Sequence, residues 1–554
     1  MKSFYLFLSG ISFCLQTIAQ PVPQLVPGNY QIPVQNIQPN AIGALTECIG
    51  LGNSMVFVSN DQLWITDGSS GGTQMLMQFA IHDSVRPTGL IKVNNEIYFF
   101  ADDGVHGQEL WKTNGTQAGT LLVKDIKPGP GSSINWKQPI EKHLRYNIQA
   151  LNNKMYFIAD DGVSGGELWS SDGTASGTTL FYDFYPGPGG GTFPQQNLVA
   201  TTNKIFFTAT TYSGTDTFNA LQATDGTLAN TIVVFDSVYI DDLRMIAFND
   251  KVIFGPQQLT ENTYISDGTP SGTHIIFPGE SNGGEIAVVN NTAYFFSRVT
   301  SRFLKTDGTL AGTSVIRQLG SMYNLTNTSR TSAFRINTLG QNIIISGIET
   351  GTGQELWLSD GTTSGTTLLK DIFTGITSST PFHFTEFNNR LYFRAIDSSR
   401  CELFYTDGTA PGTQKVTMPG ANSMEYLNLF NLRKYGTYPM VSTGNALYYY
   451  AHYDSTLGPR IYKLDLLPAG IENTSAPIAI DIYPNPSQGY INIDATDAKS
   501  ISIHSINGSA VYQSGHLSGQ RTHSADIRHL SVGTYTVTTQ LTDGTTRFGK
   551  FVKQ

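Results

Sequence analysis

The sequence predicts an all-β protein: a single β-propeller of eight to nine four-stranded blades, followed by a small immunoglobulin-like β-sandwich. Three observations predict this fold. A seven-residue turn pattern recurs about every 50 residues, the length of a four-stranded propeller blade. The chain has 56 glycines, and 11% of its residues are aromatic but only 14% are charged, which is typical of turn-rich β proteins. The last 80 or so residues alternate apolar and polar side chains, as half-buried strands do.

The N-terminus is typical of a signal peptide. Lys2 precedes an apolar run from Phe4 to Leu15, and Thr17 and Ala19 are small residues at the positions that favour cleavage after Ala19. The run is shorter than the roughly 20 apolar residues of a membrane span, so we expect no transmembrane anchor. The predicted organisation is therefore a signal peptide (1–19), a propeller (20–466), a linker (467–478) and a C-terminal domain (479–554).

Charge and cysteine content restrict partners and stabilising forces. The net charge is −9 and the basic residues are scattered, so a nucleic acid is not an expected partner. Cleavage of the signal peptide leaves only Cys48 and Cys401, and the sequence leaves open whether they pair. Burial of apolar side chains must stabilise the fold.

The recurring turn has the pattern D-G-T-x-x-G-T, with substitutions. It begins at eight positions: Asp67, Asn114, Asp172, Asp225, Asp267, Asp307, Asp360 and Asp407. The residue three positions before each turn is mostly large and apolar, which predicts a core position: Trp64, Trp111, Trp169, Gln222, Tyr264, Leu304, Trp357 and Phe404. A ninth, decayed copy places Tyr462 three residues before Asp465.

Each unit shows the same order of segments. A variable strand ends in a turn such as Asn-Asn, an aromatic strand follows, the third strand carries E-L-W, and the fourth follows the D-G-T turn. The ninth unit lacks a fourth strand, whereas Ile32 to Pro39 fits the fourth-strand pattern near the N-terminus. We therefore expect this N-terminal segment to complete the last blade and close the ring. The count is eight or nine blades, and a pair of smaller propellers is the alternative.

The substitutions in the turn indicate a structural role. An aspartate before glycine accepts hydrogen bonds from the following backbone N–H groups, while the glycine takes a positive φ. Asn114 keeps the acceptor without the charge. Asn230 replaces the second glycine, and asparagine tolerates the left-handed region. We predict that all eight turns shape the backbone.

Several acidic residues are weak candidates for chemistry. Propeller enzymes gather acids from several blades at a central opening, and the candidates for such a site are Asp103, Glu109, Asp161, Glu167 and Glu355. Asp102 and Asp160 precede two of these acids, so bound calcium is an alternative prediction, although the EF-hand spacing is absent. Gly68, Ser70 and Gly72 match the nucleophile pattern G-x-S-x-G, but they belong to the first repeated turn, between two strands, so a nucleophile elbow is not expected. No phosphate-binding or zinc motif occurs. We therefore predict no catalytic residue, no metal ligand and no cofactor.

The repeated units resemble the ELWxxDGT repeat family of secreted bacterial proteins. The similarity is carried by "ELWKTNGT" at Glu109, "ELWSSDGT" at Glu167, "ELWLSDGT" at Glu355 and "ELFYTDGT" at Glu402. The units at Asp225, Asp267 and Asp307 lack E-L-W, so a ligand site common to all units does not follow. The resemblance implies an extracellular location more than a reaction.

The tail resembles the type A C-terminal sorting domain of the type IX secretion system. The pattern positions are Tyr483, Pro484, Asn485, Pro486, Gly489, Gly508, Gly533, Tyr535 and Lys550. The resemblance implies a Bacteroidota-type cell, export through the periplasm and recognition by the type IX machinery, with the product released or attached to the cell surface. An adhesive immunoglobulin-like domain is the alternative interpretation.

These observations favour a secreted or cell-surface propeller that binds extracellular glycan or protein through loops on one face of the ring. Trp136, in the long insertion after the second turn, would suit stacking on a sugar. The alternatives are an extracellular polysaccharide-active hydrolase or lyase, and a structural surface protein. The lack of a catalytic constellation makes an enzyme the less favoured interpretation.

Overall fold

The computed structural model describes residues 23–28, 47–59, 61–80, 86–134, 148–187, 198–212, 217–236, 245–255, 262–280, 282–297, 300–320, 335–397, 400–417, 440–451, 460–466, 480, 482–505, 510–515, 517, 519–542 and 546–554. They belong to two compact units, one within Val22–Leu466 and the other at the C-terminal end, from Leu467 onward. The predicted signal peptide and the linker 467–478 lie outside the described residues.

The described residues form antiparallel strands and one short 3-10 helix, Leu228–Asn230. No described helix is long and apolar enough to cross a membrane. The strands, numbered in chain order, are β1 (Gln24–Leu25), β2 (Cys48–Leu51), β3 (Ser54–Ser59), β4 (Gln62–Thr66), β5 (Gln74–Gln78), β6 (Thr88–Val93), β7 (Glu96–Asp102), β8 (Gln108–Thr113), β9 (Leu121–Lys124), β10 (Ile148–Leu151), β11 (Lys154–Asp160), β12 (Gly166–Ser171), β13 (Thr179–Tyr182), β14 (Leu198–Ala200), β15 (Ile205–Tyr212), β16 (Thr217–Thr224), β17 (Ile232–Phe235), β18 (Ile246–Phe248), β19 (Lys251–Phe254), β20 (Thr263–Ser266), β21 (His274–Phe277), β22 (Asn282–Val289), β23 (Thr292–Ser297), β24 (Arg302–Thr306), β25 (Ser314–Gln318), β26 (Arg335–Leu339), β27 (Asn342–Glu349), β28 (Gly353–Ser359), β29 (Thr367–Lys370), β30 (Phe382–Phe387), β31 (Arg390–Asp397), β32 (Arg400–Thr406), β33 (Gln414–Lys415), β34 (Val441–Ser442), β35 (Ala446–Ala451), β36 (Arg460–Asp465), β37 (Ile482–Tyr483), β38 (Tyr490–Asp494), β39 (Ala498–His504), β40 (Ala510–Gln513), β41 (Thr522–Asp526), β42 (Gly533–Leu541) and β43 (Thr546–Lys553).

The first unit consists of four-stranded antiparallel sheets, which confirms the predicted all-β class. Sheets 1 to 8 each take four consecutive strands, beginning with β2 and ending with β33. Sheet 9 has the order β1-β36-β35-β34. Each of the first eight repeated units is thus one sheet, because short turns place consecutive strands side by side, where their backbone groups form hydrogen bonds.

An N-terminal strand completes sheet 9, but it is not the predicted one. β1 pairs with β36 through Gln24↔Lys463 and Leu25↔Tyr462. The Val26 N–H then donates to Ile461 O at 2.9 Å, and the Val26 side chain is buried. We predicted Ile32 to Pro39 for this role; the edge of β36 is instead occupied by the earlier segment, which buries an apolar side chain there. Residues 32–39 lie outside the described part of the chain.

Neighbouring sheets touch through their first strands in cyclic order. β2 contacts β6, each later first strand contacts the next, and β34 of sheet 9 contacts both β30 and β2. Sheet 1 therefore has sheet 9 on one side and sheet 2 on the other. Within the described residues, each sheet in this succession thus has a neighbouring sheet on both sides.

The core lies between adjacent sheets. The described residues three positions before the turns are buried or nearly so, as predicted; Trp357 is 1% exposed and Gln222 is 0% exposed. In sheets 1 to 7 the third and fourth strands shift register just before this position, and such a bulge increases the local twist. Between sheets 2 and 3, Phe100 meets Phe157 edge to face at 5.4 Å.

One core cluster joins the first sheet to the last. Phe57 and Trp64 of sheet 1 pack in the same cluster as Tyr448 of sheet 9 and Val26. Cys401 and Cys48 also belong to this cluster, and no disulfide joins them. Apolar packing, rather than a covalent link, connects the two ends of the first unit.

The C-terminal unit has two antiparallel sheets around one core. The first sheet has the order β37-β38-β41 and the second the order β40-β39-β42-β43. Ile491 and Ile493 of the first sheet share a core with Ile501, Ile503 and Val537 of the second. The predicted alternation in these strands is confirmed.

We predict that Val26→Asp destabilises the first unit by about 2 kcal/mol or more, because a carboxylate replaces a side chain that is 1% exposed. Chemical denaturation of the mature chain measures this change. Leu25→Asp is the matched control, since Leu25 is 40% exposed, and it should change stability by less than about 1 kcal/mol. Equal effects of the two substitutions would contradict the described position of β1.

Candidate functional site

Each D-G-T turn is closed by a network of side-chain hydrogen bonds. In sheet 7, Asp360 Oδ1 accepts the Thr362 N–H at 2.8 Å and the Thr362 hydroxyl at 2.7 Å. The Thr366 hydroxyl donates to Thr362 O at 2.6 Å and lies 2.7 Å from Ser359 Oγ. Ser359 Oγ in turn accepts the Gly361 N–H at 3.0 Å. The Asp360 carboxylate therefore accepts hydrogen bonds within its own turn.

The same acceptor geometry occurs in every copy. The first turn residue accepts a backbone N–H and a hydroxyl from the residue two positions later, at Asp67, Asn114, Asp172, Asp225, Asp267, Asp307, Asp360 and Asp407. Hydrogen bonds from the threonine hydroxyl and N–H lower the pKa of Asp172, Asp307 and Asp360. Asn114 makes the same bonds without a charge, so the turn uses the oxygen acceptor.

The first glycine of each turn packs against the preceding sheet. Gly361 has φ +85°, and a methyl group there would overlap Tyr294 Oη of sheet 6. Gly173 stands in the same relation to Tyr98 of sheet 2. In the first turn, Gly68 lies against the Lys463 side chain of sheet 9. Each turn is therefore also a contact between sheets, including the contact between the last and the first.

Our explanation for Asn230 is wrong. The residues with positive φ in the turns are the first glycines, and Asn230 lies instead in the 3-10 helix Leu228–Asn230. A methyl group at the equivalent Gly365 would coincide with the Asp360 carboxylate. At position 230 the side-chain amide donates to Asp225 Oδ2 at 2.6 Å, so here the side chain makes a hydrogen bond to the aspartate.

The predicted glutamates anchor backbone rather than meeting at one centre. Glu109, Glu167 and Glu355 are 0% exposed and belong to the third strands of sheets 2, 3 and 7. Glu355 Oε2 accepts the Ile372 N–H at 2.8 Å, and its Oε1 accepts the Ser379 N–H at 2.7 Å.

Glu109 and Glu167 use the same geometry. The Ile126 N–H donates to Glu109 at 2.8 Å, and the Phe184 N–H donates to Glu167 at 2.7 Å. Burial raises the pKa of Glu109 to about 7, although hydrogen bonds from Ile126 and Ser133 act in the opposite direction. The E-L-W glutamate thus holds the connection that leads to the next sheet.

The predicted aspartates close hairpin tips. Asp103 Oδ1 accepts the N–H groups of Val105 and His106, both at 2.9 Å. Asp161 Oδ1 accepts the N–H groups of Val163 at 2.8 Å and Ser164 at 2.7 Å. Desolvation alone would raise the pKa of Asp103 and Asp161, but these bonds outweigh it and lower both values. Within the described part of the chain, no three His, Cys, Asp or Glu side chains come together as metal ligands.

Basic residues of the fourth strands form a contact that the sequence analysis missed. The Lys124 ammonium lies 5.8 Å from the Trp169 ring centroid and donates to Thr178 O at 2.7 Å, both in the next sheet. Arg317 repeats the arrangement in sheets 6 and 7, 5.0 Å from the Trp357 ring and 2.7 Å from Thr366 O. The signal in the sequence is a basic residue near the end of the fourth strand.

The two ends of the sheets differ. Strand order places the Asn-Asn turns and the D-G-T turns at one end, which we call the constant end. The second-to-third-strand hairpins and the connections between sheets lie at the other, the variable end. Lys127 of one connection pairs there with Asp160 of the next sheet at 2.6 Å. These connections are short between Phe277 and Asn282 and long between Lys415 and Val441.

The described variable end exposes aliphatic side chains. Val105 is 63% exposed and Val163 is 73% exposed at hairpin tips, and Ile376 is 83% exposed in a connection. No aromatic residue of the first unit is among the exposed large apolar side chains of the described residues. Trp136 and Gly508, both predicted to matter, lie outside the described part of the chain.

The tail residues of the predicted sorting pattern lie at several places. Tyr483 is exposed, whereas Tyr535 is buried and stacks on Phe551 at 5.4 Å. Residues 481–554 match the family model of the secretion system C-terminal sorting domain. The tail is a type IX sorting domain. It indicates export to the cell surface or beyond.

The chain is similar to solved structures at low sequence identity. No curated protein matches the chain. It is similar to a puromycin hydrolase mutant (12% identity, TM-score 0.34) over 67% of this chain and 59% of that structure. Apo AztD from Citrobacter koseri (12%, TM-score 0.32) is matched over 61% and 87% of the respective chains. For an acylaminoacyl peptidase of Pyrococcus horikoshii (11%, TM-score 0.34) the shares are 74% and 57%. The activities of those proteins do not transfer to this chain.

We predict that Gly361→Ala destabilises the first unit by about 2–4 kcal/mol, from a positive φ and an overlap with Tyr294. Gly351→Ala is the control, because its φ is +100° but no atom lies within 4 Å of the added methyl group. Gly351→Ala should lower the free energy of unfolding by about 1 kcal/mol, from the unfavourable positive φ alone. Thermal unfolding compares the two, and an equal loss would mean that the turn does not pack tightly against sheet 6.

We also predict a pH effect from Glu109. Its pKa is about 7 in the folded protein against 4.5 in the unfolded chain, so the folded state retains the proton over this range and the free energy of unfolding falls as the pH rises from 4.5 to 7. Glu109→Gln should flatten that part of the profile in denaturation experiments. Asp360→Asn should leave it unchanged, because the lowered pKa of Asp360 places its effect below pH 3.8. An unchanged slope in Glu109→Gln would contradict the assignment.

Proposed function

We propose that the first unit is a nine-bladed β-propeller of ELWxxDGT-type repeats that binds an extracellular glycan or protein at its variable end. The cyclic contacts of the first strands and the N-terminal strand in sheet 9 support the propeller assignment. The observation that carries the binding role is the difference between the two ends of the sheets. One end repeats a hydrogen-bonded turn, whereas the other presents connections of unequal length on the same framework.

The eight D-G-T turns are structural in this proposal. Their carboxylates accept hydrogen bonds within the turn, and their first glycines fit against the preceding blade. The E-L-W glutamates orient the connections by accepting backbone N–H groups, as Glu355 does. A ligand would therefore contact the connections and hairpin tips, not these acids.

The export route completes the proposal. A signal peptide at 1–19 takes the chain into the periplasm of a Bacteroidota-type cell, and the type IX machinery then carries it across the outer membrane. The tail folds as an immunoglobulin-like sandwich, which two sheets around one core support. The propeller is released or remains attached to the cell surface.

Two kinds of side chain favour different ligands. The exposed aliphatic residues Val105 and Val163 lie at the tips of adjacent blades and suit a protein surface. Trp136, in the long connection after Lys124, suits stacking on a sugar ring.

We predict that the purified mature protein is retained on extracellular polysaccharides or surface proteins of its environment and releases no reducing ends. Trp136→Ala should abolish glycan retention, and Val163→Ser should weaken a protein complex by about tenfold. Leu310→Ser is the control, because Leu310 is 57% exposed at the constant end. Binding arrays with a reducing-sugar assay measure both properties. Release of reducing ends would contradict the binding role and indicate a hydrolase or lyase. If the protein shows no retention and no turnover, a structural surface protein is favoured.

A further inference from the structure

The last sheet of the first unit takes its fourth strand from the other end of the chain. In sheets 1 to 8 the chain turns at the constant end after the third strand and returns as the fourth strand. In sheet 9 the outer edge of the third strand, β36, pairs with β1 instead, and Gln24 lies opposite Lys463. Val26 is buried there, and so is Pro23 just before β1. The place into which the chain would turn after β36 is therefore occupied.

The C-terminal exit from the first unit consequently lies at the constant end. β36 runs toward this end, because its last residue, Asp465, pairs with Ala446 at the beginning of β35. The next residue, Leu466, donates its N–H to Asn445 O at 2.8 Å, in the turn between β34 and β35. Leu466 is 37% exposed and is the last described residue of this unit. The chain from residue 467 onward thus starts at the constant end.

The N-terminal end of the first unit lies at the same corner. β1 is antiparallel to β36, so it begins at the constant end and runs toward the variable end. Its first residue, Gln24, lies opposite Lys463, which is three positions before Leu466. The chain before β1 and the chain after β36 therefore both join sheet 9 at its constant end.

Packing fixes this corner to the rest of the first unit. The Lys463 side chain lies against Gly68 in the turn of sheet 1, where an added methyl group would overlap it. The Lys463 ammonium also pairs with Asp465 at 3.2 Å. Sheets 9 and 1 share a buried core beneath these contacts. The exit at Leu466 therefore has a constant position relative to the framework of sheets.

We infer that the first unit is held by its constant end, so that its variable end faces away from the cell surface to which the C-terminal side of the chain is attached. A body that is held at one point has that point nearest its support, and Leu466 places the point at the constant end. This applies to any attachment through residues after Leu466, whether or not the tail stays on the chain. The inference rests on the export and surface attachment of the proposed function and not on the identity of the ligand.

This orientation gives a reason for the difference between the two ends. The held end repeats one turn geometry, whereas the connections of unequal length face outward. The exposed side chains of Val105 and Val163 face outward with them. A ligand then reaches the variable end without displacing the attachment.

The test compares thiols at the two ends of the full-length chain, in solution and on a support. Ser70→Cys changes an exposed residue of the first D-G-T turn, beside sheet 9, and Val163→Cys changes an exposed hairpin tip at the variable end. A biotin acceptor inserted after Ile471 holds the purified chain on a streptavidin layer, and a protein-sized maleimide reagent labels the thiols. Labelling of Ser70→Cys should become about fivefold slower than in solution, because the support excludes the bulky reagent, whereas that of Val163→Cys should change by less than about twofold. The unaltered chain gives the background from Cys48 and Cys401.

A long Gly-Ser spacer between Leu466 and the biotin acceptor is the matched control, because a flexible chain lets the first unit turn freely. The spacer should restore the labelling of Ser70→Cys to its rate in solution and leave that of Val163→Cys unchanged. Equal slowing of the two variants on the short attachment, or stronger slowing of Val163→Cys, would overturn the inference.

Intact cells that export the chain separate this inference from the proposed function. On their surface, Val163→Cys should be labelled about fivefold faster than Ser70→Cys, relative to the rates in solution, for the same steric reason. Equal labelling of the attached chain would overturn the inference while the export route stands. A chain found only inside the cell would contradict the export route, and a chain found only in the medium would contradict the attachment; the inference fails with either.

Discussion

The contact between each D-G-T turn and the sheet before it is the constraint on which the first unit depends. A four-stranded sheet with two apolar faces is stable only when both are covered. The first glycine of the turn lets the backbone approach the preceding sheet, as Gly361 does at Tyr294. The buried residue three positions earlier, such as Trp357, fills the space between the same two sheets. Gly68 against Lys463 applies this contact to the last and first sheets.

The acidic residues of the repeats accept backbone hydrogen bonds. The turn aspartates accept hydrogen bonds within their own turns, and the E-L-W glutamates hold the chain on its way to the next sheet. Hydrogen bonds to a carboxylate favour its charged form, and they lower the pKa of the turn aspartates Asp172, Asp307 and Asp360. Variation in length is left to the connections between sheets.

Sequence patterns predicted the repeated turns and strands because the interactions that form them are local. The acceptor at Asn114, the first glycines and the large residue before each turn act through neighbours within a few positions or through one packing contact. The prediction for Asn230 was wrong because glycine is favoured there for a different reason: the aspartate side chain of the turn lies over that position. Only the three-dimensional structure shows this contact. The N-terminal strand was assigned to Ile32–Pro39 by pattern, whereas pairing with β36 selected residues 24–26 through the buried Val26.

By itself, the sequence determined the all-β class, the four-stranded units and the sorting tail, since hydrophobic alternation, turn residues and motif spacing are written along the chain. Only the tertiary structure decided which surfaces those units share. The pairing of Asn485 with Lys550 and Val552, the order in which sheet 9 meets sheet 1, and the use of Glu109 and Glu355 as backbone anchors join residues far apart in sequence. Such contacts depend on how burial and hydrogen bonding are satisfied in three dimensions, and no local pattern specifies them.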